Sequence, residues 1–91
     1  MTPITSLDEA NEATRERGEA IRIQPPAPGA TRYYWIEDGA WRFAKAGWDT
    51  ARATDADSVR PAVESQIDLQ AGRERDDLVT AVDRDRVGAG V

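Results

Sequence analysis

The residues with most scope for chemistry in this sequence are carboxylates that occur in close pairs. Asp76 and Asp77 are adjacent, and Asp83 and Asp85 are separated by one residue. Paired carboxylates can act as general acid and base, or hold a divalent cation. Arginines are interleaved with both pairs, at Arg73, Arg75, Arg84 and Arg86. This pattern is typical of a solvated surface with paired charges, so it predicts neither a catalytic acid nor a metal site.

A third acidic pair lies in the segment 55–59, Asp-Ala-Asp-Ser-Val. Over these five residues the segment resembles the nucleophile motif Asp-x-Asp-x-Thr/Val of haloacid-dehalogenase-like phosphatases, which implies a preceding buried strand and a large α/β domain. Residues 51–54, Ala-Arg-Ala-Thr, do not read as such a strand, and 91 residues are too few for that domain. An EF-hand loop beginning at Asp55 also fails, because Arg60 replaces the required glycine and Gln66 the required glutamate. The segment is therefore predicted to cap a helix.

The chain contains neither cysteine nor histidine. Without cysteine there can be no disulfide, thiolate nucleophile, iron–sulfur cluster or sulfur-ligated zinc. Without histidine the usual general base and the usual neutral metal ligand are both missing. We therefore expect a protein that is not an enzyme and that holds no cofactor and no metal.

The charge composition is acidic and unusually rich in arginine. Twelve basic residues, eleven of them arginine, stand against seventeen acidic ones, which gives a net charge of −5. Such a composition is found in proteins from GC-rich genomes and in acidic proteins adapted to high internal salt, and we favour the halophilic interpretation.

No apolar run approaches the roughly 20 residues that span a bilayer, and residues 1–9 lack a signal-peptide pattern. The expected location is the cytoplasm, without membrane contact.

Every aromatic residue lies between Tyr33 and Trp48, and this segment predicts a β-hairpin. Two strand-like runs flank Asp38-Gly39, the dipeptide that most readily forms a two-residue type I′ turn. That turn sets the register, with the cross-strand pairs Glu37/Ala40, Ile36/Trp41, Trp35/Arg42, Tyr34/Phe43 and Tyr33/Ala44. One face of the hairpin then holds Tyr34, Ile36, Trp41 and Phe43, and Tyr33, Trp35 and Arg42 lie on the other.

The remaining patterns predict one α+β domain over residues 1–87, followed by a flexible tail at 88–91. Alternation at Ile21 and Ile23 indicates a strand at 20–24, which joins the hairpin at 31–46 in a three-stranded antiparallel sheet. A capping box at Ser6 and Glu9 starts a first helix. Helices are predicted at about 7–17, 58–70 and 74–86. The apolar stripe of the second, Val59, Ala62, Val63 and Ile67, should pack on the Tyr34/Trp41 face.

Helices on one face would leave Tyr33 and Trp35 exposed on the other. Tyrosine, tryptophan and arginine dominate the energetics of protein interfaces. The sequence therefore predicts a small acidic interaction or regulatory module that self-associates as a homodimer through the hairpin. An acidic inhibitor that occupies a basic partner surface is a second version of this hypothesis. The candidate interaction residues are Tyr33, Trp35, Arg42, Lys45 and Trp48.

Single-stranded nucleic acid is the alternative partner, because aromatic residues interleaved with arginine can stack on unpaired bases. Segment 31–54 holds four basic residues against three acidic ones, a local excess of only one positive charge. Neutralising phosphates normally requires several clustered cations. The charge therefore argues against nucleic acid and for protein.

Overall fold

The computed structural model describes residues 2–87, apart from the side chain of Arg86. Within this range the chain forms six strands and two α-helices, followed by a short 3₁₀ turn. The elements in order are β1 (Thr2–Pro3), α1 (Leu7–Glu16), β2 (Glu19–Ile23), β3 (Arg32–Glu37), β4 (Ala40–Lys45), β5 (Arg52–Ala53), α2 (Ala56–Gly72), β6 (Val79–Asp83) and the 3₁₀ turn Arg84–Arg86. The α+β class is confirmed, and the predicted tail at 88–91 lies outside the described residues.

The strands form a single antiparallel sheet in the order β1-β6-β2-β3-β4-β5. The predicted three-stranded sheet is therefore wrong in size, although its three strands form the middle of the observed one. The predicted strand at 20–24 is observed as Glu19–Ile23. Two of the additional strands, β1 and β5, have only two residues each and show no periodicity in the sequence.

The hairpin of β3 and β4 is confirmed in both its turn and its register. Asp38 has φ 54° and Gly39 φ 78°, the left-handed conformation that a type I′ turn requires at both positions. All five predicted cross-strand pairs are present, from Glu37/Ala40 at the turn to Tyr33/Ala44. Local turn chemistry was therefore sufficient to place each hairpin side chain on the correct face.

The first helix begins where the capping residues predicted. The Ser6 hydroxyl accepts a hydrogen bond from the Glu9 amide at 3.1 Å. The Glu9 carboxylate accepts from the amide and hydroxyl of Thr5, at 3.2 and 2.8 Å, and not from the Ser6 amide, as a regular capping box would require. Gly18, with φ 65°, lies just beyond the helix and leads the chain directly into β2.

The second helix is longer than predicted at both ends. Asp55 caps it, since its carboxylate accepts from the Ser58 amide at 2.8 Å, and this confirms the capping interpretation of the acidic pair. At the other end, Glu74 takes a left-handed φ of 54°, and the Arg75 amide donates to the Gln70 carbonyl at 3.0 Å. This hydrogen bond and the left-handed residue form a Schellman motif, in which glutamate occupies the position where glycine is usual.

The third predicted helix, at 74–86, is wrong. Residues 79–83 form β6, an interior strand between β1 and β2, and the short turn at Arg84–Arg86 follows it. Four consecutive residues of β6, Val79, Thr80, Ala81 and Val82, are buried, so this strand is covered on both of its faces. Such an unbroken run lacks alternation and cannot be told from a short buried helix by periodicity alone.

The main core lies between the sheet and the two helices. As predicted, the stripe of α2 packs on the Tyr34/Trp41 face: Val59 and Val63 are buried there, and Ile67 is partly buried. Other buried members are Ile4, Ala10, Ala13, Ile21, Ile23, Leu78, Val79 and Ala81. No helix among residues 2–87 is long and apolar enough to cross a bilayer.

One polar side chain, Gln70 of α2, is fully enclosed at the edge of this core. Its amide nitrogen donates to the Ile4 carbonyl at 2.8 Å, and its amide oxygen accepts from the Leu78 and Val79 amides at 3.0 Å each. The side chain thus satisfies three buried backbone groups from two different chain segments. Gln70 ties the helix to the beginning of β6 and to the segment that follows β1.

Candidate protein interaction surface

Both helices pack on the same face of the sheet, and the other face carries no helix. Because successive strand residues point to opposite faces, the residues that alternate with the main core belong to this second face. We call it the helix-free face. Its strand residues are Ala20, Arg22, Tyr33, Trp35, Glu37, Arg42, Ala44, Thr80 and Val82.

A second, smaller apolar cluster lies on the helix-free face and centres on Trp35. Ala20, Ala44 and Val82 are buried around it, and Tyr33, Trp48 and Val87 are partly buried against it. Trp35 itself is only 7% exposed. The prediction that Trp35 is exposed in the monomer is therefore wrong.

The chain that follows β6 contributes to the burial of Trp35. We call residues Arg84–Val87 the C-terminal turn; Val87 packs against the Trp35 cluster. Arg84 donates from Nη2 to the Glu37 Oε1 atom at 2.9 Å, and the same oxygen accepts from the Trp35 indole N–H at 3.0 Å. The indole nitrogen is thus satisfied within the chain, and the C-terminal turn is held beside it.

The electrostatics of this group depend on Glu37. The hydrogen bond from the Trp35 indole, followed by the charges of Arg84 and Arg42, lowers the pKa of the Glu37 carboxyl below its ordinary value. Each of these interactions favours the ionised carboxylate. Since the Arg84 and Glu37 side chains remain 36% and 45% exposed, the ion pair is partly screened by solvent.

Two of the predicted interaction residues stay accessible on the helix-free face. Tyr33 is half-buried on β3, between Arg22 of β2 and Ala44 of β4. Arg42 is half-buried on β4 and pairs with Trp35 across the strands. Arg22 was not among the predicted site residues, although the alternation of Ile21 and Ile23 already placed it on the face opposite the core. The accessible surface is therefore an aromatic ring flanked by two arginines.

The last two predicted residues, Lys45 and Trp48, lie at the end of β4. Trp48 meets the Phe43 ring edge-on at 5.3 Å and also packs against the Trp35 cluster. The Arg52 guanidinium lies 4.6 Å from the centre of the Trp48 ring, and the Lys45 ammonium lies 5.9 Å from it. Lys45 lies on the same face of β4 as Trp41 and Phe43, which is the helix-covered face. It is therefore linked to the helix-free face by its contact with Trp48.

A groove of about 490 Å³ runs between the hairpin, the loop after β4 and the C-terminal turn. Trp35, Ala44 and Trp48 supply its apolar lining, and Arg84 and Glu37 lie at one side. No group of three or more possible metal ligands occurs anywhere in the described part of the chain. Lys45, Asp49, Thr50 and Asp85 also line the groove.

The structure thus brings Tyr33, Trp35 and Arg42 together on one face, as predicted, and adds Arg22, Arg84 and Glu37 to them. The contribution of Arg84 had no local signal, because it is 47 residues from Glu37 in the sequence. Comparisons with protein-family models, with curated proteins and with solved structures find no match for the chain.

Proposed function

We propose that the protein is a non-enzymatic interaction module that binds a protein partner through its helix-free face, and that the partner is a second copy of the chain. One observation carries the proposal. Both helices cover the same side of a six-stranded sheet, and the other side presents Tyr33 beside Arg22, with Arg42 opposite the neighbouring Trp35.

The position of Tyr33 supports its role as the anchor of the interface. It lies on β3, one of the two middle strands of the sheet, and not at an edge. Residues that dominate binding energy cluster near the centre of an interface, and tyrosine and arginine are enriched among them. The half-buried Tyr33 ring can pack against a partner at low entropic cost, because its neighbours already restrict it.

The charge distribution supports a second copy as the partner. Helix α1 contains four carboxylates and one arginine, and α2 contains three carboxylates and one arginine. Two copies that met through their helices would bring these like charges together. The strands of the helix-free face hold Arg22 and Arg42 against Glu37, and the C-terminal turn beside them adds Arg84 and Asp85. This face is therefore less acidic than the helices, so two acidic chains repel least where these faces meet.

The size of the domain supports self-association for an independent reason. A 91-residue chain buries a smaller fraction of its surface than a larger domain does, so its core is thin. Joining two helix-free faces would cover the Trp35 cluster on its solvent side.

The lack of cysteine fits a reducing compartment, and a cytoplasmic location is part of this proposal.

Sedimentation velocity over a concentration series tests the proposal. We expect the wild-type chain to self-associate and Tyr33→Ala to weaken the dimer at least tenfold, with unchanged far-ultraviolet circular dichroism. Arg60→Ala, which breaks an exposed ion pair on α2, is the control and should associate like the wild type. A wild-type chain that stays monomeric, or a Tyr33→Ala chain that associates normally, would refute the proposed dimer.

The arginines around Tyr33 favour single-stranded nucleic acid as the second candidate partner. Tyr33 is the aromatic ring available for stacking on this face, since Trp35 is covered. Binding of a fluorescent oligothymidine should then fall steeply with salt and weaken in Arg42→Ala. If the oligonucleotide does not bind at low salt, this candidate is eliminated.

A further inference from the structure

The C-terminal turn provides both polar and apolar cover for Trp35. Arg84 bonds to the same Glu37 oxygen that accepts the Trp35 indole N–H, and Val87 packs on the cluster around the ring. Trp35 shares its face and its strand with Tyr33. The segment that hides Trp35 therefore lies directly beside the surface to which we assign partner binding.

Among the described residues, few interactions attach this cover. The ladder between β2 and β6 ends at the pair Glu19/Asp83, one residue before the C-terminal turn begins. Within the turn, the Val87 amide donates to the Arg84 carbonyl at 3.0 Å, which holds the turn's own shape but does not bind it to the sheet. The ion pair to Glu37 is partly exposed, and such pairs contribute little to stability. Local opening of the turn therefore leaves the sheet intact.

We propose that the C-terminal turn is an intramolecular cover that competes with the second copy of the chain for Trp35. This inference rests on the proposed function. With the turn closed, a partner meets Tyr33 and the flanking arginines. With the turn open, the Trp35 ring becomes available beside Tyr33, and the interface gains a second aromatic anchor.

Competition has a quantitative consequence. The apparent dissociation constant of a site that binds only when uncovered is its intrinsic value divided by the uncovered fraction. A substitution that loosens the turn must therefore speed hydrogen exchange at Trp35 and tighten self-association, by at most the square of the exchange factor, because each copy in the dimer carries one turn. A purely structural turn would change exchange alone, or weaken association through loss of stability.

The first measurement is the exchange rate of the Trp35 indole N–H, followed by nuclear magnetic resonance on the full chain. Comparison with Trp35→Phe identifies the signal. We expect about two- to fivefold faster exchange in Arg84→Ala, as the loss of a partly exposed ion pair implies, and an intermediate rate in Arg84→Lys. The matched control, Arg60→Ala, should exchange at the wild-type rate, and unchanged exchange in Arg84→Ala overturns the cover.

The second measurement is the dimer dissociation constant of the same variants by sedimentation. The cover predicts that Arg84→Ala tightens association, by at most the square of the factor seen in exchange. If Tyr33→Ala weakens association but Arg84→Ala leaves it unchanged or weaker, the cover is refuted and the proposed function stands. If neither the wild type nor any variant associates, the proposed function fails, and the competition fails with it.

Discussion

The two faces of the sheet bury their aromatic residues by different means. On the helix-covered face, Tyr34 and Trp41 pack against side chains from both helices within one continuous core. On the helix-free face, Trp35 lies among three small residues, the rings of Tyr33 and Trp48, and the C-terminal turn, which a partly exposed ion pair helps to hold in place. Trp35 and Trp41 are thus almost equally buried, with 7% and 8% of their surface exposed. The elements that cover them, however, are held to the sheet by interactions of different strength. The first face maintains the fold, and we propose that the second can change its cover.

The largest loss of stability is expected for a substitution of Gln70, on the helix-covered side of the sheet. We expect Gln70→Leu to cost about 3–5 kcal/mol, because it strands three buried backbone groups that cannot reach water. Gln66→Leu, four residues earlier on the same helix, is the matched control: its amide oxygen has no partner among the described residues, so its loss should be near neutral. Urea unfolding of the two variants measures the difference, and equal stabilities would remove Gln70 as the link between α2 and β6.

The hairpin turn should show the next largest effect, since it sets which aromatic residues lie on which face. Gly39→Val should cost about 1–2 kcal/mol, because a β-branched residue is strained at φ 78°, although open space surrounds the added atoms. Ala40→Val, at an exposed strand position with ordinary geometry, is the control and should change little. Thermal melting compares them, and an unchanged melting temperature in Gly39→Val would contradict the type I′ turn.

A smaller effect, of opposite sign, is expected at the end of α2. Glu74→Gly should stabilise the protein by about 0.5–1 kcal/mol, because glycine adopts the left-handed conformation without strain and a carboxylate is removed from a helix C-terminus. Exchanging Glu64, exposed within the same helix, for glycine should instead destabilise it by a similar amount. Chemical denaturation of both variants tests the sign, and destabilisation by Glu74→Gly would contradict the Schellman motif.

The smallest effect concerns pH and belongs to the helix-free face. Since the Trp35 indole, Arg84 and Arg42 lower the pKa of Glu37 in the folded chain, its stabilising contribution is complete above the ordinary value of 4.5 and is lost as pH falls through the lowered folded pKa. Melting temperatures at pH 6 and pH 3 should therefore differ less in Glu37→Gln than in the wild type.

Asp77, whose pKa is also lowered in the folded chain, serves as the control for this comparison. The hydrogen bond from Arg75 lowers the pKa of Asp77, so Asp77→Asn should also reduce the acid sensitivity. Asp77 has no bond to Trp35, and only Glu37→Gln should change the Trp35 indole resonance at neutral pH. An indole signal that is the same in Glu37→Gln and the wild type would contradict the hydrogen bond.

The parts of this fold that were predictable from sequence are those specified by neighbouring residues. Asp38-Gly39 fixed the hairpin and its register, and the capping side chains of Ser6 and Asp55 marked two helix starts. Strand β6 was misassigned because burial on both faces removes the alternation that identifies a strand. The two-residue strands β1 and β5 depend on backbone pairing with β6 and β4, which leaves no pattern in their own residues.

The candidate surface was predictable in its strand residues and not in its cover. Alternation alone put Tyr33, Trp35 and Arg42 on one face, and the same rule extends to Arg22. The exposure of Trp35, by contrast, depends on Arg84 and Val87, whose position follows from the path of β6 through the sheet. A tertiary contact between distant segments has no signature in local spacing, so the covered state of Trp35 emerged only from the structure.

A dilution series of amide resonances, from millimolar to micromolar protein, tests the central claim most directly, because it locates the contact between copies residue by residue. The account predicts concentration-dependent shifts centred on Tyr33, Arg22 and Arg42, with the exposed residues of α1 and α2 unchanged. Shifts confined to the helices, or a spectrum that does not change with concentration, would contradict the assignment of the helix-free face as the surface through which the chain self-associates.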